Sequence, residues 1–366
     1  MNIAMNRRRF IQSTSAIALG AMSCGAGRAL AQPSNELRVS VYGGDVGKAN
    51  VEAYVKPFEA ETGIKVTAIP DDVTLPQIEL MVTSNNTTVD VVGADAATAH
   101  TANLKSLLEQ IDYSIFKKDE LDAIVDFAKK PFGVAGLVYG IPMVYSTEKF
   151  PPTGPQPTSW ADFWDVEKFP GVRTLETGQG GGEGPWEEAL LADGVAADKI
   201  YPMDIDRIFA SLDKIKPHIR KWWTSGSEGQ QLFHDKAVDI GNCYDGRANL
   251  LIDQGAPLKI NRNQSKLTND YWVIPKGSPN VQNAQRFIEF ATRADRQAAF
   301  AKLVPYGPIN RNAFKLLPEE VGLKLPSHPK LLANSIVMDL QWYTEVGSDG
   351  QSNIDRLVQR WNEWIL

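Results

Sequence analysis

The sequence predicts an α/β chain folded as two lobes, and three observations carry that expectation. Apolar residues switch repeatedly between a period of two and a helical spacing along most of the chain. A proline-rich segment near residue 151 interrupts this alternation. The length is the third: 366 residues less 31 expected to be removed leave 335, more than one hydrophobic core usually serves.

The chain opens with Arg7-Arg8-Arg9, a mildly apolar run over 11–22 diluted by Ser13, Thr14, Ser15 and Gly20, and then Ala29-Leu30-Ala31. A basic start, a short apolar run and a small-x-small site make an export signal, cleaved after Ala31. The paired arginines resemble a twin-arginine signal, which carries folded proteins across a bacterial inner membrane. The run is shorter than the roughly 20 apolar residues that span a bilayer. A periplasmic protein, not inserted in the membrane, is therefore expected. Cys24 has two readings: it leaves with the signal, or it is lipidated at the mature N-terminus, although Ala21-Met22-Ser23 match a lipobox poorly. Removing Arg7, Arg8, Arg9 and Arg28 reduces 38 basic side chains to 34 against 44 acids, so the net charge moves from -6 to -10. That balance excludes a nucleic-acid partner. Cys243 then stands alone, so no internal disulfide is expected.

Leu37, Val39 and Val41 share one face of a strand, and Val51, Tyr54, Val55 and Phe58 form a helix stripe that Gly63 stops. Ile64, Val66 and Ala68 resume period two, which completes a βαβ unit with a parallel sheet. Residues 89–92 read as a buried strand, and Leu121, Ile124, Val125 and Ala128 as a helix. Pro151-Pro152-Thr153-Gly154-Pro155-Gln156-Pro157 admits neither helix nor central strand and marks the boundary. Beyond it, Ser159 with Asp162 three residues later caps a helix. Ile208, Leu212 and Ile215 form a further helix stripe, and residues 237–241 a strand. Tyr271-Trp272-Val273-Ile274-Pro275 reads as a strand crossing back, followed by a helix with Ala284, Phe287, Ile288 and Ala291. The last segment, with Ile354, Leu357, Val358, Trp361 and Ile365, is an amphipathic helix. The expected division is 36–145 plus 271–315 for lobe 1 and 146–270 plus 316–366 for lobe 2.

Ligands of open α/β sheets sit beyond the carboxyl ends of strands, so the residues after each strand are the candidates. Tyr42-Gly43-Gly44-Asp45 follows the first strand; the glycines let backbone N–H groups approach a ligand, and Asp45 either binds a cation or caps the helix. Asp95 has the same two readings. The run from Gly178 to Gly184, containing Glu183, precedes Pro185 and a helix. It lacks the Lys and Ser/Thr of a P-loop and reads as a loop lining a cleft or lying on the surface. Trp222-Trp223 offers either an aromatic face for a ligand or core packing. Tyr244 and Arg247 follow the 237–241 strand, with Asp245 between them as a helix cap. Asp270 stands where the chain crosses between lobes, placed to pair with an amine, and Trp272 lies beside it. His100, His218, His234 and His328 are scattered, and no G-x-S-x-G or metal-binding pair occurs, so neither a metal, a cofactor nor a catalytic site is expected.

Several segments in order resemble the periplasmic solute-binding proteins of ABC transporters, and within them the spermidine/putrescine-binding group. They include Phe58-Glu59-Ala60-Glu61-Thr62-Gly63-Ile64-Lys65-Val66, Tyr139-Gly140-Ile141-Pro142 and Thr158-Ser159-Trp160-Ala161-Asp162-Phe163-Trp164. Further on come Gln254-Gly255-Ala256-Pro257, Asp270-Tyr271-Trp272-Val273-Ile274-Pro275 and Tyr306-Gly307-Pro308. The resemblance implies the two-lobed type II periplasmic binding protein fold, each lobe a mixed sheet flanked by helices, with the ligand in the cleft between. It also implies a monomer that hands a small solute to permease subunits.

On that resemblance Asp270 matches the carboxylate that pairs with a ligand amine, and Tyr244 stands where a stacking Trp is usual. Thr268 replaces an aromatic, Glu176 or Glu183 substitutes for the acids of the second lobe, and Arg247 replaces a small neutral residue. The expected solute is a polyamine such as putrescine or spermidine. An arginine beside the site suits a carboxylate or phosphonate instead, so a 4-aminobutyrate-like zwitterion is the alternative. A chemoreceptor partner and an exported cofactor-containing enzyme are the remaining readings.

Overall fold

The computed structural model describes residues 35–180 and 182–366. The expected export signal, its cleavage after Ala31 and Cys24 lie outside the described residues. The first strand, β1 (Glu36–Ser40), leads through α1 (Gly44–Asn50) and the helical turns after it to β2 (Lys65–Ile69), parallel to β1 from Glu36 and Lys65 to Ser40 and Ile69. This is the βαβ unit read from the alternation. Val39 bridges to Val91, and the strand expected at 89–92 lies slightly later, as β3 (Val92–Asp95), which opens directly into α2 (Ala96–Leu104).

Two long strands form the spine. β4 (Gly133–Ser146) receives its partner β8 (Leu258–Val273) antiparallel from Gly133 and Val273 down to Ser146 and Leu258. The pairing is irregular between Ile141 and Met143, where residues 262–265 of β8 are left out of register. On one side of that irregularity β8 pairs with β3, with Asp270 opposite Asp95. On the other, β4 pairs with β7 (Ile240–Asn242), which continues in parallel to β5 (Arg173–Glu176) and then to β6 (Ile219–Trp223). The expected crossing points at 145 and 270 both fall on these strands. The sequence did not disclose the length of β8, because Lys259, Asn261, Arg262, Asn263, Gln264 and Lys266 show no apolar alternation; pairing with β4 makes the strand.

Helices cover both sheet ends. Phe58 and Trp272 pack on Phe287 of α6 (Val281–Ala291), which follows β8. At the other end α3 (Trp186–Ala192) and α4 (Ile205–Ile215) enclose an aromatic cluster with α7 (Asn353–Ile365), where the ring of Trp361 lies 5.7 Å from that of Trp186 and 5.1 Å from that of Trp222. Ser159 accepts from Asp162 N as its spacing foretold, although the helix it caps is short, Trp160–Trp164. One expected helix is corrected. The stripe at 121–128 is α-helical only over Lys118–Ala123, because Ile124 bridges to Asn310 and Val125 N donates to Ile309 O, and these pairings end the helix before a single 3-10 turn at Asp126–Ala128. Among the described residues no helix is long and apolar enough to cross a membrane.

Candidate ligand-binding cleft

A cavity of about 940 Å³ opens where α2, the glycine loop and the start of α5 (Asp245–Asp253) face one another across the spine. Asp270, Tyr42, Asp95, Glu183, Tyr244 and Arg247 all line it. Asp270 sits on β8 opposite Leu137 and Asp95, and the pleat puts Thr268 and Asp270 on one face. Burial, with Asp95 and Glu183 nearby, pushes the Asp270 carboxyl up to about 7.

Tyr42, two residues beyond β1, has φ +64°, a left-handed conformation uncommon for an aromatic residue and a form of strain that concentrates at ligand sites. The turn aims its hydroxyl at Asp270, whose charge it helps to hold, although no hydrogen bond of standard geometry forms and the oxygen is otherwise buried without a partner. Position 93 must be glycine for this: a Cβ there would stand 2.7 Å from Tyr42 Oη. Asp95 caps α2, its Oδ1 accepting from Thr98 N at 2.9 Å, and also lines the cavity.

The opposite wall is built on the glycine loop. Glu183 accepts from Tyr139 Oη at 2.5 Å and Tyr244 Oη at 2.6 Å. Tyr244 Oη also lies 3.2 Å from Glu176 Oε1. Burial pushes the carboxyls of both Glu176 and Glu183 upward; the tyrosine hydroxyls oppose the rise at Glu183, whereas the neighbouring charge of Glu183 reinforces it at Glu176. Arg247 Nη1 donates to the neutral amide of Gln230 at 3.1 Å, a contact that leaves the guanidinium charge uncancelled. The loop itself is held by close packing, since a Cβ on Gly184 would stand 2.4 Å from the Trp186 ring. It is also held by Lys266 of β8, whose buried ammonium donates to Glu183 O at 3.0 Å, Gly184 O at 2.7 Å, and Glu187 and Glu188 at 3.2 Å each.

Three expected site residues are not brought to the cavity. Asp45 is exposed and paired with Lys48 at 3.0 Å on the first turn of α1. Trp272 follows the period-two face of Asp270, but by that point the sheet is covered, and its ring packs edge-on against Tyr54 and Phe287. Trp223 is buried behind Tyr244, with Nε1 donating to Asn242 Oδ1 at 3.0 Å. Asp245 is not the cap of α5 but its first residue, and it ties Gly140 N at 3.1 Å to Arg262 at 3.0 Å. Sequence reasoning missed Tyr139, Tyr306 and Asp72 as lining residues and Lys266 as a support. The segments carrying Tyr139 and Tyr306 were visible as ordered motifs, whereas no pattern marked Asp72 or Lys266.

A family profile described as bacterial extracellular solute-binding protein matches residues 53–323. The chain is 33% identical over 336 residues to the gamma-aminobutyric acid-binding protein of Pseudomonas aeruginosa, covering 90% of this chain and 91% of that one. A solved ABC transporter substrate-binding protein from Bradyrhizobium japonicum is 32% identical with a TM-score of 0.79, over 90% of this chain and 99% of that one. A solved GABA receptor is 31% identical with a TM-score of 0.78, over 90% and 98%. The spermidine/putrescine-binding periplasmic protein of Escherichia coli stands further off, at 23% identity over 91% of this chain and 93% of its own. The expected resemblance thus holds at the level of the family, while the polyamine-binding group is its distant part.

Proposed function

The chain belongs to the bacterial extracellular solute-binding protein family, and from that membership we propose that it captures a small ω-amino acid of the 4-aminobutyrate type and delivers it, in the periplasm, to the permease of an ABC importer. It is a solute-binding protein and not an enzyme. The observation that carries the choice of solute is one guanidinium in a cavity that, among the described residues, is otherwise charged by acids. Asp270, with Asp95 beside it, offers an ammonium its counter-charge, and Arg247 offers the same to a carboxylate. The names of the 33%-identical relative and the 31%-identical structure support this reading.

A polyamine is the second reading, and one observation favours it: Asp72, Asp95, Glu176, Glu183 and Asp270 line the same cavity as the single Arg247. In both readings the chain passes between lobes at the irregularity of β4 and β8, a few residues before Tyr145 and Asp270. The pairing of β8 with β3 on one side and of β4 with β7 on the other supports that placement.

Thermal denaturation with 4-aminobutyrate, putrescine and spermidine separates the two. A solute present at 100 times its Kd stabilises by about 2.7 kcal/mol. We expect that shift with 4-aminobutyrate and little with the polyamines. Arg247→Ala should abolish the shift for the zwitterion and leave or increase any response to putrescine; the reverse pattern discards the ω-amino acid.

A further inference from the structure

Glu176 and Glu183 lie on one wall of the cleft in unequal surroundings. Both oxygens of Glu183 are occupied, by Tyr139 Oη at 2.5 Å and Tyr244 Oη at 2.6 Å. Such short contacts to hydroxyl donors are those of an ionised carboxylate. A phenol carries one proton, and the 2.6 Å contact to Glu183 uses that of Tyr244. The remaining contact, 3.2 Å between Tyr244 Oη and Glu176 Oε1, then joins two acceptors unless Glu176 supplies the hydrogen. Glu176 is 8% exposed, and its second oxygen, Oε2, is buried without a partner. An ionised carboxylate would leave a charged oxygen stripped of water there, a far greater cost than a neutral one.

We propose that Glu176 is held as a neutral carboxylic acid donating to Tyr244 Oη, while Glu183 carries the charge, and that this protonation makes Glu176 the residue selecting a carboxylate over a second ammonium at this end of the solute. The inference rests on the solute-binding reading above and deepens its zwitterionic form. With Glu176 neutral, the charges around Tyr244 are those of Glu183 and Arg247, which balance, so a solute carboxylate meets the guanidinium without a second anion beside it. With Glu176 ionised, the same wall would favour an ammonium.

The groups facing Glu176 from other elements agree. Glu183 of the loop and Glu188 of α3 raise its affinity for a proton, as burial does; Lys266 of β8 opposes them, as the Tyr244 hydroxyl would if it were the donor, without reversing the direction. Lys266 is engaged by Glu187 and Glu188 at 3.2 Å each, which spends much of its charge elsewhere.

Infrared difference spectroscopy of the unliganded protein at pH 7, wild type against Glu176→Gln, tests the protonation without any solute. A protonated-carboxyl C=O band present in the wild type and missing from the variant is expected; its absence, with circular dichroism showing both proteins folded, overturns the proposal. Calorimetry then tests selectivity. The glutamine amide retains both the neutral charge and a donor for Tyr244, so Glu176→Gln should preserve the preference for 4-aminobutyrate over putrescine, whatever it does to either Kd alone. A loss of about thirtyfold or more in that preference would mean that the charge of Glu176 is used, and would overturn it. If the wild type binds putrescine and not 4-aminobutyrate, the ω-amino acid reading and the selectivity fall together, while the infrared band still decides the protonation by itself.

Discussion

Asp270 concentrates the chemistry of the cleft because strand geometry and charge crowding meet there. The pleat turns it to the cavity, and Asp95 and Glu183 raise its cost of ionisation. Asp270→Asn keeps the shape and removes the charge. It should weaken binding of an amine-bearing solute by about 1.5–3 kcal/mol, roughly ten- to 150-fold in Kd, with the melting curve of a folded protein. Calorimetry giving equal affinity would dismiss the assignment. The pH dependence follows from the same carboxyl. Its pKa in the free protein is raised to about 7, a cation binds the ionised form, and so each step below 7 must first expel a proton. Affinity should be flat above 7 and fall, approaching tenfold per unit, below it, and Asp270→Asn should lose that slope. Tyr244 and Arg247 were expected at the cavity because they follow a strand, and Asp270 because it stands near a crossing; all three line it. Trp272 was misread because a period of two names a face without saying where that face becomes covered, here by Tyr54 and Phe287, whereas Trp223 takes its core-packing reading, behind Tyr244. Tyr139 and Tyr306 carry no local pattern that separates a cleft tyrosine from a core one.

The glycine loop and β8 form one mechanical unit, because Lys266 reaches from the strand to the loop carbonyls of residues 183 and 184 and to two buried carboxylates. Glu187 is further bound by the hydroxyls of Tyr201 at 2.6 Å and Tyr343 at 2.7 Å, which brings the C-terminal part of the chain into the same network. Lys266→Met would leave Glu187 and Glu188 buried without their counter-ion, a loss of roughly 3–5 kcal/mol. Thermal denaturation should show a clear drop in Tm, and adding Glu187→Gln and Glu188→Gln should restore a good part of it. An unchanged Tm would mean that the ammonium holds nothing. The glycine run was legible as a loop beside a helix, but its tie was not. A lysine in a polar stretch signals exposure by composition, and pairing with Ile141 on one side and Ile336 on the other buries it. The stripe at 121–128 failed for the converse reason, since pairing with residues 309 and 310 overrode a sound helical spacing.

At the scale of the whole chain, length, the proline-rich break and the alternation of periods were enough to expect two lobes, because each reflects what a core and a sheet demand of any sequence. The continuity of the sheet across them was hidden in residues 258–266. A compact chain of this length has a radius of gyration of roughly 20 Å. Small-angle scattering should show that value falling by on the order of 1 Å when the correct solute is added, as the lobes swing together; identical curves would count against closure. β4 and β8 are bonded on both sides of the irregularity at 262–265, so the lobes cannot slide past each other without breaking those ladders. What the spine leaves free is torsion, in the manner of a book whose covers turn about its binding. Asp270 sits on the binding, and Lys266 stitches the leaf that carries Glu183 to that same binding, so both acids belong to the part that turns least.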